Sequence, residues 1–278
     1  MNSQSEFIRP KAMNLFGVPI HRITSEEAVR WVDSAVETAK DIPIRVSGVN
    51  AHFLSIASRE RRFHEILAAN DLNLADGSSV RVAARILGSG LPQRIPGIDF
   101  MVELCRLAAA TGRTVYFLGG MEGAAENAAK KLASAIDGLK IESDRPPFGR
   151  EFDPVIVAQI KQRIRDAHPD FLFVGMGVPQ QEYWLNEYAN DLPVKLVMGN
   201  GAAFDVLAGF FRRPPHWIQA IGMEWFARLC VEPRRLWRRY TFGNLRFLKL
   251  VFQQLLQEKC IRLHQRIFEN PVPPKLMS

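Results

Sequence analysis

The stretch that decides the fold is Thr114-Val115-Tyr116-Phe117-Leu118-Gly119-Gly120. Its first five residues are apolar or β-prone, which predicts a buried strand over Thr114–Leu118. Gly119-Gly120 stops that strand, and the pattern that follows predicts a helix over Ala124–Ile136. A buried strand, a glycine turn and a helix in this order form the repeating unit of α/β folds with a parallel sheet.

The same alternation of strand and helix continues on both sides of this stretch. Glycines again follow the strands in Gly175-Met176-Gly177 and Gly199-Asn200-Gly201. We therefore expect an α/β fold, with a Rossmann-like, mostly parallel sheet flanked by helices and a basic helical C-terminal appendage. The other predicted strands are Met13–Ile20, Ile42–Val49, Leu72–Ala75, Lys140–Ser143, Asp170–Val174 and Val194–Met198. The other predicted helices begin at Thr24 or cover Ala51–Ala69, Ser79–Leu87, Ile98–Ala110, Pro154–Ala167 and Gln181–Asn190.

Charge divides the chain into a nearly neutral body and a basic C-terminal part. The 278 residues carry 36 Lys+Arg and 29 Asp+Glu, a net charge of +7. Residues 210–278 hold 13 basic and four acidic side chains, a net of +9, which leaves −2 for the body. We predict an α/β catalytic domain over residues 1–209 and a basic appendage over residues 210–278. Such an appendage favours an anionic partner: a membrane surface, nucleic acid or a phosphorylated ligand.

Targeting and redox signals point to the cytoplasm. The N-terminal residues lack the apolar core of a signal peptide, and no run approaches the ~20 apolar residues of a spanning helix. Three widely separated cysteines favour a reducing compartment. From Leu245 to Ile267 apolar residues recur at helical spacing between basic ones, as in a helix of a membrane interface or of the protein's own core. The arginine density favours the membrane, so we expect a cytoplasmic protein whose contact with the membrane is peripheral.

Asp76 is the candidate for acid–base chemistry. It follows the short strand Leu72–Ala75, and the carboxyl ends of parallel strands form the ligand crevice of α/β folds. A carboxylate there can take a proton from an attacking hydroxyl. A plain Asp-Gly turn has the same sequence and is common, so spacing alone favours the turn over a catalytic role.

The glycine turns are candidates for a nucleotide site. Backbone N–H groups and helix N-termini at such turns can meet a phosphate, which directs attention to Gly119, Gly120, Gly175 and Gly177. A nicotinamide-dependent oxidoreductase fits this feature too, although its glycine fingerprint is incomplete here. Polar side chains beside these turns can contact a base or ribose, or simply cap helices; they are Gln181, Glu182 and Asp205.

The sequence predicts no metal site. The six histidines show no ligand spacing, and no Asp-x-Asp is present. The C-terminal arginines suit a diphosphate, because the guanidinium fork matches phosphate oxygens. A nucleic-acid partner is disfavoured because the near-neutral body offers no extended basic groove. A non-catalytic basic membrane adaptor is the remaining alternative, but it leaves Asp76 and Gln181 without a purpose.

Several motifs follow one another in a fixed order along the chain. They are Val49-Asn50-Ala51, Ala75-Asp76-Gly77, Leu91-Pro92-Gln93-Arg94-Ile95-Pro96-Gly97-Ile98-Asp99, Phe117-Leu118-Gly119-Gly120, Gly175-Met176-Gly177-Val178-Pro179-Gln180-Gln181-Glu182, Gly199-Asn200-Gly201-Ala202-Ala203-Phe204-Asp205, and Arg212-Arg213-Pro214-Pro215 followed by Gly222-Met223-Glu224-Trp225, Arg228 and Glu232-Pro233-Arg234-Arg235. In this order they resemble the motifs of the WecG/TagA/CpsF glycosyltransferases, also called glycosyltransferase family 26. The resemblance extends from about Met13 to about Arg239. Members often carry Thr-x-Asn where this chain has Gly48-Val49-Asn50.

This resemblance implies a reaction and its partners. A sugar passes, with inversion and without an evident metal or other cofactor, from a UDP-sugar to a polyprenyl-diphosphate-linked sugar. The pathway is cell-wall or exopolysaccharide synthesis at the cytoplasmic membrane face. The donor is UDP-glucose, as in a xanthan-type pathway, or UDP-N-acetylmannosamine or its uronic acid. Dimers or larger assemblies are also implied.

The resemblance also implies residue roles. Asp76 is expected to be the catalytic base, and Asn50 to contact the sugar or acceptor. Arg94 and Asp99 are expected in the pocket, and Gln181 and Glu182 on the nucleotide side. An arginine set in the appendage is expected to bind the lipid diphosphate and close the site; it comprises Arg228, Arg234, Arg235 and Arg238.

Overall fold

The computed structural model describes residues 9–38, 42–147, 149–215, 218–219, 223–231 and 233–268. A six-stranded parallel sheet lies at its centre, in the order β4-β3-β8-β7-β5-β6, and a two-stranded antiparallel sheet, β1-β2, lies beside it. This confirms the expected Rossmann-like α/β fold. The strands are β1 (Ala12–Leu15), β2 (Val18–His21), β3 (Ile44–Val49), β4 (Leu72–Ala75), β5 (Thr114–Gly119), β6 (Lys140–Asp144), β7 (Phe171–Gly175) and β8 (Leu196–Gly199).

Helices cover both faces of the sheet, because its central strands are largely buried and need apolar cover on both sides; β7 and β8 are buried along their whole length. On one face Phe117 of β5 stacks on Phe204 with ring centroids 4.5 Å apart. The helices are α1 (Ser25–Thr38), α2 (Ala51–Ala57), α3 (Arg61–Ala69), α4 (Ser78–Ile86), α5 (Gly97–Thr111), α6 (Ala124–Ala135), α7 (Pro154–Ala167), α8 (Gln180–Tyr188), α9 (Ala203–Ala208), α10 (Glu224–Val231) and α11 (Pro233–Phe268).

The strand register places the glycine turns side by side. Gly119 pairs with Gly175, and Gly199 pairs with both Val174 and Ser47. Because all six strands run in the same direction, their carboxyl ends meet at one edge of the sheet. That edge carries predicted site residues from five separate parts of the sequence, which follow β3, β4, β5, β7 and β8.

The first predicted strand is wrong, because residues 13–20 form a hairpin. Leu15 ends β1, Val18 begins β2, and the chain reverses at Phe16-Gly17. Both turn residues have positive φ, +56° and +88°, which is the geometry of the tight turn that matches strand twist. The hairpin signal was weak because phenylalanine seldom adopts such a φ.

The predicted helix over Ala51–Ala69 is two helices. α2 ends at Ala57 and α3 begins at Arg61, with Glu60 in an extended conformation between them. The capping box at Thr24 is confirmed: Thr24 N donates to Glu27 Oε2 at 2.8 Å, and Glu27 N donates to Thr24 Oγ1 at 3.3 Å. The short helix α9 was not predicted.

The long C-terminal helix α11 packs one side on the body and exposes another. Phe247 and Val251 are buried, and Phe247 meets Phe16 of the hairpin turn edge-on at 5.7 Å. Gln254 fixes the contact, because its Oε1 accepts from Phe16 N at 3.0 Å and its Nε2 donates to Asn14 O at 3.1 Å. One side of this amphipathic helix therefore packs on the protein's own core, which was one of the two predictions for the segment. Large apolar side chains remain exposed elsewhere on it: Phe242, Leu245, Leu248, Phe252 and Leu256.

Hydropathy gives no membrane span in the described part of the chain: no helix there is long and apolar enough to cross a bilayer. The division of the chain at residue 209 stays a prediction. On the C-terminal side of that residue, α11 packs against α2 and against α10.

Candidate active site

A cavity of about 1620 Å³ opens at the carboxyl edge of the sheet. Its floor is formed by the residues that end β3, β4, β5, β7 and β8, and its roof by α10, α11 and residues 211–215. Most of the predicted site residues line it, although they come from distant parts of the sequence. They are Asn50, Asp76, Arg94, Gly119, Gly120, Gly175, Gly177, Gln181 and Asp205.

Asp76 lies directly after β4 with its carboxyl group facing this cavity. Its Oδ1 accepts a hydrogen bond from Gly97 N at 3.2 Å, and its Oδ2 accepts one from Asn50 Nδ2 at 3.3 Å. Burial raises the pKa of Asp76 above its usual range, although the Arg94 charge and these two hydrogen bonds oppose the rise. A carboxyl group with a raised pKa, held by two donors and open to a cavity, has the properties of a general base.

Asn50 is held by the start of helix α2. Its Oδ1 caps the helix by accepting from His52 N at 3.0 Å and Phe53 N at 3.4 Å. Because the carbonyl oxygen is committed to the cap, the amide nitrogen is the group that faces Asp76. The orientation of the Asn50 amide therefore follows from local helix geometry.

Arg94 connects Asp76 to the C-terminal helices. Its Nε donates to the backbone O of Asp76 at 2.7 Å, and its Nη2 pairs with the Glu224 carboxylate in the first turn of α10. The two side chains of this pair are only 18% and 20% exposed. The Glu224 charge also raises the pKa of Asp76, so a residue of the appendage acts on the candidate base.

Asp99 does not line the cavity. It accepts two hydrogen bonds from Arg213, one of them from Nη2 at 2.8 Å, and Arg213 does line the cavity. Arg213 Nε lies 3.8 Å from Glu224 Oε1, so Asp99, Arg213, Glu224 and Arg94 form one chain of charges. Both Arg213 and Glu224 belong to the sequence motifs, but the sequence predicted no role for Glu224.

The glycine turns line the cavity at the ends of β5, β7 and β8. A Cβ at Gly119 would lie 2.9 Å from Gly175 O, so only glycine permits this strand spacing. Asp205 is 8% exposed and accepts from Met121 N at 2.9 Å, which fixes the backbone that follows Gly120. The turns after β5 and β7 lead into α6 and α8, an arrangement that suits a phosphate.

Gln181 and Glu182 have different positions. Gln181 lines the cavity, and its Oε1 accepts from Gly201 N at 2.8 Å while its Nε2 donates to Glu182 Oε1 at 2.7 Å. Glu182 is 3% exposed and lies behind Gln181, outside the cavity lining. Burial raises the pKa of Glu182 to about 8. Its contact with Gln181 makes it a support for that side chain, a placement that the sequence did not indicate.

The predicted appendage arginines are not gathered at the cavity in the described structure. Arg234 and Arg238 are exposed on α11 and neither lines the cavity. The side chains of Arg228 and Arg235 lie outside the described residues. Arg212 and Arg213, which precede them in the sequence, do line it.

The cavity also has an apolar wall. Val82 and Ile86 of α4 line it and are 59% and 52% exposed. Leu236 and Leu248 of α11 line it as well. Within the described residues, no group of three or more His, Cys, Asp or Glu side chains is arranged to hold a metal ion.

Fold and cavity together are those of an α/β protein with a candidate ligand site at the carboxyl edge of a parallel sheet. The comparison with known families then identifies its kind. The chain belongs to the glycosyl transferase WecG/TagA/CpsF family, whose model matches residues 13–261. It is therefore a glycosyltransferase, and this favours the transferase over the oxidoreductase and adaptor alternatives.

Two relatives show how far the similarity extends. The chain is 26% identical over 247 residues to an N-acetylglucosaminyldiphosphoundecaprenol N-acetyl-beta-D-mannosaminyltransferase of Staphylococcus aureus (strain MRSA252), which covers 89% of this chain and 93% of the relative. It is 29% identical over 194 residues to a protein of the same name from Bacillus subtilis (strain 168), which covers 70% of this chain and 73% of the relative.

Proposed function

We propose that this protein transfers a sugar from a UDP-sugar to a polyprenyl-diphosphate-linked sugar, with Asp76 as the general base. The observation that carries the proposal is the Asp76 carboxyl group, held by Asn50 and Gly97 at the cavity's inner edge. The names of the relatives support the acceptor class, because each describes an undecaprenyl-diphosphate-linked amino sugar. UDP as the carrier follows from the resemblance of the motifs.

The reaction is one displacement at the anomeric carbon. The acceptor hydroxyl oxygen attacks that carbon, and the bond from the carbon to the UDP oxygen breaks. The hydroxyl proton passes to the Asp76 carboxylate, and UDP leaves with the electron pair. One displacement inverts the anomeric configuration, as the resemblance implies.

The leaving diphosphate needs compensation of its negative charge. The turns at Gly119-Gly120 and at Gly175 to Gly177 line the cavity and precede helix N-termini, where backbone N–H groups can bind phosphate oxygens. Arg212 lines the same cavity and adds positive charge. The resemblance implies no metal, and we expect transfer to continue at an unchanged rate in EDTA.

A lipid-linked acceptor explains the remaining surfaces. The apolar wall of Val82, Ile86, Leu236 and Leu248 suits a prenyl chain that leaves the polar floor. The exposed apolar side of α11, on a segment with a net charge of +9, suits the anionic surface of the inner membrane. Residues 210–278 are thus proposed as a membrane and lipid-diphosphate appendage.

Three UDP-sugars are the candidate donors. The relatives transfer N-acetylmannosamine by name, which supports the UDP form of that sugar. UDP-glucose and the uronic acid of N-acetylmannosamine remain the alternatives. A panel of UDP-sugars separates them directly.

The test measures UDP release with each donor and a short-chain polyprenyl-diphosphate-linked N-acetylglucosamine. One donor should give release that depends on the acceptor. Asp76→Asn should lower that rate by about 10²–10⁴, the usual contribution of a general base. Asp137→Asn is the matched control, because it makes the same chemical change at an exposed site and should keep the wild-type rate.

Two results would count against the proposal. A wild-type rate in folded Asp76→Asn protein would remove Asp76 from the reaction. No release with any donor from folded wild-type protein would remove the proposed transfer itself.

A further inference from the structure

Glycines are unusually frequent around the cavity, and the fold explains most of them. Of the ten that line it among the described residues, four have φ between +26° and +108°, which other residues rarely adopt. At four more of these glycines, a Cβ added to the backbone would lie only 2.6–3.1 Å from another atom, so a side chain would collide. Gly199 is an example, because its Cβ would meet Gln181 and Glu182.

Gly48 has no such explanation. It lies inside strand β3, paired with Leu74 of β4, and its φ is outside the left-handed region. A Cβ there would lie 3.4 Å from Asp76 Cβ and 3.5 Å from Gly97 Cα, which are ordinary contact distances. Glycine weakens a strand interior, and where it persists without a bulge it often marks a site that a ligand approaches closely.

The space left by Gly48 adjoins the candidate base. The missing Cβ would sit 3.7 Å from the carboxyl carbon of Asp76, inside the cavity. A hydroxyl that gives its proton to Asp76 must come within about 2.6–3.2 Å of a carboxyl oxygen. If the hydroxyl approaches Asp76 over β3, the carbon that carries it takes the place of the absent side chain.

We infer that Gly48 is a specificity-determining residue: it makes room against the backbone of β3 for an acceptor sugar ring that the threonine common in the family at this position would exclude. The inference rests on the proposed function, since it takes the acceptor as the substrate that meets Asp76. The other glycine that the fold leaves unexplained, Gly243, lies on α11 with nothing within 4 Å of its Cβ position. Only Gly48 therefore combines free space with contact to the base.

The experiment compares Gly48→Ala and Gly48→Thr with wild-type protein. Initial rates are measured against acceptor concentration at saturating donor, and UDP binding is measured by calorimetry. Gly48→Ala should raise the acceptor KM at least tenfold and Gly48→Thr further, while the Kd for UDP stays within twofold. Gly90→Ala is the control, because Gly90 is exposed, has no atom within 4 Å of its Cβ position and does not line the cavity.

The outcomes separate this inference from the proposed function. Wild-type protein that transfers no sugar overturns the proposed function, and the inference with it. An active wild type beside two Gly48 variants with unchanged acceptor KM overturns the inference alone. So does a rise in the Kd for UDP that matches the rise in KM, or loss of the folded state in both variants, which would make the glycine a structural need.

Discussion

Asn50 serves the helix and the candidate base with different atoms, so substitutions can separate the two effects. Its Oδ1 caps α2, and its Nδ2 donates to Asp76 at 3.3 Å. Asn50→Ala removes both contacts. Asn50→Ser keeps a capping oxygen, since serine and asparagine cap about equally well, but it is too short to reach Asp76.

The two contacts have different magnitudes and different readouts. Loss of a cap costs about 1 kcal/mol, which lowers the melting temperature by roughly 2–4 °C in a protein of this size. A hydrogen bond to a charged group contributes about 1.5–3 kcal/mol, and the 3.3 Å length of this one favours the lower end. Its loss should lower kcat/KM about tenfold. Because the Asn50 bond lowers the pKa of Asp76, both variants should move the acid limb of kcat/KM to higher pH.

Thermal melting and pH–rate profiles on the three proteins test this separation. We expect Asn50→Ala to lose both stability and activity, and Asn50→Ser to lose activity alone. Equal losses of stability in the two variants would refute the cap argument. An acid limb that stays at the wild-type pH in both would refute the contact with Asp76.

Two more predictions concern charge. Burial keeps Glu182 protonated up to about pH 8, whereas the unfolded chain loses that proton near pH 4.5, so stability should fall as pH rises between these values. Glu182→Gln should flatten this dependence in melting curves from pH 4 to 9, and an unchanged slope would contradict it. Arg94→Gln should move the acid limb of kcat/KM to higher pH and Glu224→Gln should move it to lower pH, because Arg94 lowers and Glu224 raises the pKa of Asp76. Shifts in the same direction, measured on proteins with wild-type melting temperatures, would contradict that assignment.

Much of the fold could be predicted because its signals are local. A buried strand in a parallel sheet is a short apolar run, and glycine ends it where two strands approach closely, as at Gly119 and Gly175. The errors lie where local signals conflict. Phe16 adopts a left-handed conformation that its side chain disfavours, and the polar residues from Ser58 to Glu60 suit an exposed helix surface as well as a break.

The floor of the site could also be predicted, whereas its roof could not. Asp76 and Asn50 follow neighbouring parallel strands, so topology alone brings them together. The pairing of Arg94 with Glu224 joins side chains 130 residues apart, and no spacing rule connects them. The burial of Glu182 was missed for a related reason: the start of a helix is usually exposed, and only packing against Gly199 and Gln181 covers it.

The contact between Arg94 and Glu224 changes how the basic C-terminal part should be understood. Net charge alone assigns that part to an anionic partner outside the protein. Yet one of its four acidic side chains, Glu224, lies in the first turn of α10 and shares Arg94 with the backbone of Asp76. The Arg94 charge lowers the pKa of Asp76 and the Glu224 charge raises it. Because Glu224 belongs to α10, the pKa of the candidate base depends on where α10 lies. Residues beyond 209 are therefore part of the electrostatics of the site, and removing them would change the ionisation of Asp76 as well as any binding to a membrane.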